Sequence, residues 1–206
     1  MEIRLEQVSK QIRGTEILSD ITMELKSGAI YGFQGINGSG KTMLMRVIAG
    51  LIRPTKGCVK IDGKELGREL DFPEGTGLLL ENPAFPGYYT GKRNLQLLAG
   101  IRGETGEEKI EETMQRIGLD PKDKRKYRKY SLGMKQKLGI AAAVMESPRL
   151  LILDEPFNAL DEESVGRARQ IIREEKERGR LSFWPAMSGQ CWRIWWMRSL
   201  FWKMGG

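Results

Sequence analysis

Apolar and polar residues alternate over residues 3–8, the period of a half-buried strand, and residues 21–25 (ITMEL) repeat the pattern. The run AIYGFQ at 29–34 reads as a buried strand. It leads directly into a glycine-rich turn and then into a helical periodicity from Lys41 to Leu51. Val59–Asp62 reads as a further strand closed by a turn at Asp62-Gly63, and TGLLL at 76–80 as a short apolar strand. The pattern is helical from 92 to 118, with a break near Gly103–Gly106, and a third helix is expected from about 132 to 146. LLIL at 150–153 has the continuous apolar character of a parallel strand buried on both faces, and a charged helix follows over about 162–178. Strands first, helices in the middle, then a buried strand and a helix predict an α/β core with an inserted subdomain.

Composition narrows the chemistry. The chain has 206 residues, 40% hydrophobic and 30% charged, which suits one globular domain with a real core. A net charge of +7 suits an anionic ligand or a membrane surface and equally suits ordinary solubility. Cys58 and Cys191 make no disulfide framework, so a reducing compartment is expected. The sequence has no histidine, which excludes histidine-ligated metals and histidine acid–base catalysis. Glu2 and Glu6 interrupt the N-terminus, which has no apolar signal-peptide segment. No run is apolar enough to span a bilayer, so any membrane role is expected to come through a partner.

Two segments carry the candidate chemistry. Gly35-Ile36-Asn37-Gly38-Ser39-Gly40-Lys41-Thr42 matches the phosphate-loop pattern G-x-x-x-x-G-K-[ST], with a strand before it and a helix after it. Glycines let the backbone curl so that successive N–H groups point inward at phosphate oxygens, and the helix adds its positive end. Lys41 then reaches the β- and γ-phosphates, and the Thr42 hydroxyl ligates Mg²⁺. The alternative is a fortuitous glycine-rich turn. The second segment is Leu150–Leu153 followed by Asp154-Glu155-Pro156. An apolar strand ending in two carboxylates sets them at the sheet's C-terminal edge, where α/β folds bind ligands. Asp154 is expected to hold Mg²⁺ and Glu155 to orient or deprotonate the attacking water. The alternative is an acidic helix cap after a strand.

Between these lies Tyr130-Ser131-Leu132-Gly133-Met134-Lys135-Gln136, and after the acid pair comes Asn158-Ala159-Leu160-Asp161. With them the chain resembles the ATP-binding subunits of ABC transporters over about residues 1–180. The first of these segments is similar to that family's signature motif and the second to its D-loop. The resemblance implies a P-loop NTPase with a RecA-like core, an N-terminal antiparallel β-subdomain and an inserted α-helical subdomain at about 82–146. It implies ATP and Mg²⁺ as cofactors and a second ATP-binding subunit, identical or not. In such a dimer Ser131 and Gly133 would contact the γ-phosphate of the other subunit's ATP, with Asp161 beside the shared site. It also implies an integral membrane permease as partner, and a cytoplasmic location on the inner face of the cell membrane.

Two positions depart from the family pattern. Where an aromatic usually stacks on adenine stands Ile12, offering apolar contact alone. Where the family's loop glutamine is expected stands Glu81, which offers oxygen to Mg²⁺ or its water but has no amide donor. The alternative for Glu81 is a solvated loop acid. Glu81 with Asn82-Pro83-Ala84-Phe85, Thr90-Gly91 and Asn94-Leu95 resembles the ATPases of bacitracin and lantibiotic self-protection exporters. The basic run at 122–129 lacks an aromatic stacking platform and reads as a solvated face, so no nucleic acid is expected. A soluble ABC protein acting on ribosomes usually carries two cassettes or long coiled-coil insertions, which this chain has no room for.

The composition changes after Arg180. All five tryptophans (Trp184, Trp192, Trp195, Trp196 and Trp202) lie in 181–206, which contains no Asp or Glu. The resemblance implies a strand here ending in a histidine that contacts the γ-phosphate. No clean apolar strand is visible. Back-translated and read two nucleotides later, the tail forces Leu at Phe183/Trp184 and Ala at Trp184/Pro185, and then permits Ser and His. It goes on to force Val-Asp over Trp195–Met197 and Leu-Glu over Phe201–Lys203, similar to the family ending. The expectation is a frameshift near Arg180, a malformed last core strand and weak hydrolysis.

Overall fold

The computed structural model describes residues 1–34, 38–103, 105–186 and 197–201. Strands β1 (Glu2–Ile12) and β2 (Thr15–Lys26) form a long hairpin, which β4 (Lys56–Ile61) and β5 (Lys64–Glu65) extend into an antiparallel sheet of order β2-β1-β4-β5. Both hairpin strands run well beyond the 3–8 and 21–25 legible as alternation. Register shifts between Leu5 and Val8, Val8 and Lys10, and Lys10 and Gln11 are the reason. Each extra residue changes the face the next side chain takes, and the period of two is lost.

The second sheet is parallel. It consists of β3 (Ile30–Gln34), β6 (Thr76–Leu79), β7 (Leu150–Leu153), β8 (Leu181–Ala186) and β9 (Met197–Phe201), in the order β6-β7-β8-β3-β9. Residues 30–33 of β3, all of β7 and residues 181–183 of β8 are buried. Leu150, Ile152, Leu181, Phe183, Tyr31 and Phe33 pack with the antiparallel sheet and with α1 (Lys41–Ile48), whose Leu44, Met45, Val47 and Ile48 are buried. Leu151, Leu153, Leu79 and Ile30 face the other way, toward a second apolar cluster. Burial on both sides explains why LLIL carries no polar alternation.

β8 corrects the reading of the tail. Its first residues form a regular core strand between β7 and β3, with Leu181 and Phe183 fully buried and Leu150 opposite Leu181. The strand was hidden because only Leu181 and Phe183 are apolar before Trp184-Pro185 changes the pattern. Pairing with β7 ends at Phe183, near the end of β7 itself, while pairing with β3 runs on through Pro185 to Ala186. Trp192, Trp195, Trp196, Trp202 and position 187, where the alternative frame permits histidine, lie outside the described residues.

The second cluster is covered by α2 (Gly91–Arg102), α3 (Glu107–Arg116), α4 (Leu132–Val144) and α5 (Glu162–Glu177). The break between α2 and α3 falls where the glycines predicted it, with Gly103 ending α2 at φ 72°. The loop before α2 is tied to the segment before α4. The Tyr127 hydroxyl donates to the Pro83 carbonyl, the Tyr127 N–H to Tyr89 O at 2.8 Å, and the Arg128 N–H to Gly87 O at 3.1 Å. This connects the chain just after Glu81 to the chain just before Ser131. The basic side chains at 122, 124–126 and 128–129 are exposed around the buried Tyr127, as a solvated face requires.

Candidate active site

β3 delivers the chain to the phosphate loop at the C-terminal edge of the parallel sheet. Gly35 and Asn37 lie outside the described residues. Gly38 follows at φ 82°, and Gly40 caps α1 at φ 85°. At Gly40 a Cβ would meet the Ile17 carbonyl at 2.8 Å and Leu18 Cδ2 at 3.0 Å, so both backbone angle and space demand glycine. The first turn of α1 carries no acid of its own, which suits an anion at its positive end. The Lys41 ammonium donates to Ser39 Oγ at 3.5 Å.

β7 lifts the acids to the same edge. The Thr42 hydroxyl donates to Asp154 Oδ2 at 2.5 Å, joining residues 112 apart in sequence. Asp154 is buried and its N–H donates to Leu79 O at 2.6 Å, which fixes the strand end beside β6. Glu155 follows, exposed, at a left-handed φ of 46°. A cavity of about 230 Å³ is lined by Thr42, Glu81, Asn82, Gln136, Asp154, Glu155 and Asn158. The structure thus brings Thr42, Glu81, Asp154 and Glu155 together. Glu81 also has a left-handed φ, 58°, and accepts a hydrogen bond from Arg46.

Three residues that line this cavity or bond to its lining had no role assigned from sequence. Gln136 Nε2 donates to the Glu155 carbonyl at 3.0 Å, and the Asn158 N–H donates to the same oxygen at 3.0 Å, so the peptide carrying Glu155 is held from two elements. Arg46 is the third. The motifs S-x-G-M-K-Q and N-A-L-D contained Gln136 and Asn158, but spacing alone did not tell which way either side chain points.

Ser131, Gly133, Asp161 and Ile12 stand apart from the cavity lining. Ser131 caps α4, its hydroxyl accepting from the Met134 N–H at 3.2 Å. A Cβ on Gly133 would lie 2.7 Å from the Ala159 carbonyl, so α4 begins in direct backbone contact with the D-loop segment. Asp161 caps α5, accepting from the Ser164 N–H at 2.8 Å, and hydrogen bonds from the Ser164 side chain and N–H hold its carboxyl below the usual range. Ile12 is exposed at the end of β1, opposite Thr15.

The family model for ABC transporters matches residues 18–158, and the chain belongs to that family. An uncharacterised ABC transporter ATP-binding protein of Bacillus subtilis, YybJ, is 41% identical over 86% of this chain and 81% of its own length. The bacitracin transport ATP-binding protein BcrA of Enterococcus faecalis is 38% identical over 82% of this chain, and the lantibiotic transport ATP-binding protein SrtF of Streptococcus pyogenes 33% over 86%. The chain spans 76% of the length of SrtF but only 56% of that of BcrA. Among solved structures, the ATP-binding subunit of an ABC transporter superposes with a TM-score of 0.80 at 26% identity, over 91% of this chain and 80% of that one. A dimeric ATP-binding cassette in a post-hydrolysis state bound to ADP and Pi shares the fold, with a TM-score of 0.79 at 20% identity over 91% of this chain and 88% of that one. The expected fold class, a P-loop NTPase with an antiparallel β-subdomain and an inserted helical subdomain, is the one observed.

Proposed function

We propose that this chain binds and hydrolyses ATP to power a separate integral membrane permease that exports a peptide antibiotic, drug or similar compound. The observation that carries the reading is the Thr42–Asp154 hydrogen bond at the rim of a cavity that also takes in Glu155. A hydroxyl and a carboxylate are hard oxygen donors, and two such ligands suit a Mg²⁺ ion that completes its shell with water and phosphate. Bound there, the ion would neutralise charge on the β- and γ-phosphates. Lys41 adds a second positive charge to the phosphates. Glu155, its peptide held by Gln136, orients the attacking water and takes its proton. Glu81 faces the same cavity and can offer a further oxygen to Mg²⁺ or its water.

Ser131 and Gly133 lie outside this cavity, which favours work on the nucleotide of a second ATP-binding subunit, with Asp161 close to the shared site. Among the described residues no helix is long and apolar enough to cross a membrane. In this reading the membrane connection is the permease, met by the loop from Glu81 to Asn94, where Tyr88 is exposed. On this reading the chain works at the cytoplasmic face of the membrane. The likeness to bacitracin and lantibiotic transport proteins supports export. Co-purification from membranes identifies the permease. With it bound, Lys41→Ala should lose tight ATP binding, whereas Glu155→Gln should keep binding and lose turnover. Parental turnover in the Glu155→Gln variant would overturn the assignment.

A second reading, a nucleotide-binding subunit with impaired hydrolysis, is supported by the absence of any histidine for the γ-phosphate position after β8. It is joined to the frameshift expected near Arg180, because the tail read two nucleotides later permits a histidine near position 187. Resequencing decides it. A clean read whose alternative frame lacks a His codon near position 187 would refute the frameshift.

A further inference from the structure

Arg46 and Glu81 are 35 residues apart in sequence, yet the guanidinium Nη2 donates to Glu81 Oε1. Arg46 lies one helical turn after Thr42 on α1, and i,i+4 spacing puts both on one face of the helix. Glu81 lines the cavity with Thr42, Asp154 and Glu155, so three carboxylates surround a space that, on the reading above, receives a polyphosphate. An amide at position 81 would add no charge there; a carboxylate adds one. The Glu81 side chain is 62% exposed and that of Arg46 33%, and a pair this open contributes little to stability. Stability does not account for it, whereas the charge balance of the cavity does. The hydrogen bond engages Oε1, and a carboxylate has a second oxygen to give. Glu81 also sits at a left-handed φ, a conformation that needs surrounding contacts to hold it.

We propose that Arg46 is a positioning residue for Glu81: it neutralises the extra carboxylate and fixes it by one oxygen, so that the other is presented to the metal side of the nucleotide site. Carboxylates that bind metal are themselves held by neighbouring hydrogen bonds, and loss of such a partner typically weakens metal binding about 10–100-fold. Glu81 and Arg46 therefore act as a unit, and a glutamine at 81 would make Arg46 dispensable.

The inference rests on the ATP-site reading and is tested by a double-mutant cycle in the Glu155→Gln background, where ATP is bound without turnover. The affinity for ATP with Mg²⁺ is measured by titration calorimetry. Arg46→Met is expected to weaken binding about tenfold or more when Glu81 is present, and by less than about twofold when combined with Glu81→Gln. Arg46→Lys, which keeps the charge, is expected to recover most of the loss. Thermal melts should stay close to the parent in each variant. Equal weakening in both backgrounds, or no weakening by Arg46→Met, overturns the proposal. If the parent itself binds no ATP and Lys41→Ala changes nothing, the fault lies with the site reading instead.

Discussion

Phe183 is the point at which the sheet, the tail and the nucleotide site can be tested together. Its side chain is fully buried in β8, with the rings of Tyr31 and Phe33 each 5.8 Å away, the latter nearly parallel at 2°. Truncating such a residue removes its transfer free energy and leaves a cavity in a rigid sheet, at a cost of about 3–5 kcal/mol. A domain of this size holds only about 5–15 kcal/mol in total. At about 2–4 °C per kcal/mol, Phe183→Ala should lower the Tm by about 6–20 °C. The assay uses two probes. Circular dichroism follows the whole domain, and tryptophan emission follows the tail, because every tryptophan lies beyond Phe183. If β8 belongs to the cooperative unit, the two transitions coincide and shift together. Leu132→Ala, at a side chain 70% exposed, is the control and should stay within about 0.5 kcal/mol of the parent. There is a functional consequence as well. β8 separates β3, which feeds the phosphate loop, from β7, which carries Asp154, by two strand spacings of about 4.8 Å each. Loosening it should weaken ATP binding too. A Tm drop below about 3 °C, corresponding to no more than about 1–1.5 kcal/mol, would refute the reasoning and return β8 to an unintegrated tail.

Three other outcomes are expected. Mixing Lys41→Ala with Ser131→Ala subunits should give half-site dimers with intermediate turnover, and a Ser131→Ala protein that dimerises on ATP and hydrolyses at the parental rate would rule out action in trans. Gly133→Ala places a Cβ against the Ala159 carbonyl backbone and should destabilise by about 1–3 kcal/mol in urea titration; an unchanged midpoint would mean that α4 and the D-loop segment are not in that contact. Because the folded-state pKa of Asp161 is depressed, its contribution is present above the unfolded value and lost as pH falls through the folded one. The Tm gap between parent and Asp161→Ala should therefore hold from about pH 5 to 8 and shrink below about pH 4; a gap that acid leaves unchanged contradicts the capping role.

Much of the site was legible because its chemistry is local in sequence. A phosphate loop needs glycines, a lysine and a hydroxyl within eight residues, and an apolar strand must end in its acids, so Lys41, Thr42, Asp154 and Glu155 could be named from spacing. The caps at Ser131 and Asp161 are equally local. Strand lengths in the β1–β2 hairpin were not legible, since bulges erase alternation without leaving a compositional mark. β8 escaped because its packing depends on which strands flank it, and the two apolar residues Leu181 and Phe183 before Trp184-Pro185 look like the end of a pattern. The long-range pairs lay wholly beyond the sequence. That Thr42 meets Asp154, that Gln136 holds the peptide of Glu155, and that Arg46 meets Glu81 follow from the order in which parallel strands assemble. That order brings the ends of strands distant in sequence to one sheet edge, and only the tertiary structure sets it.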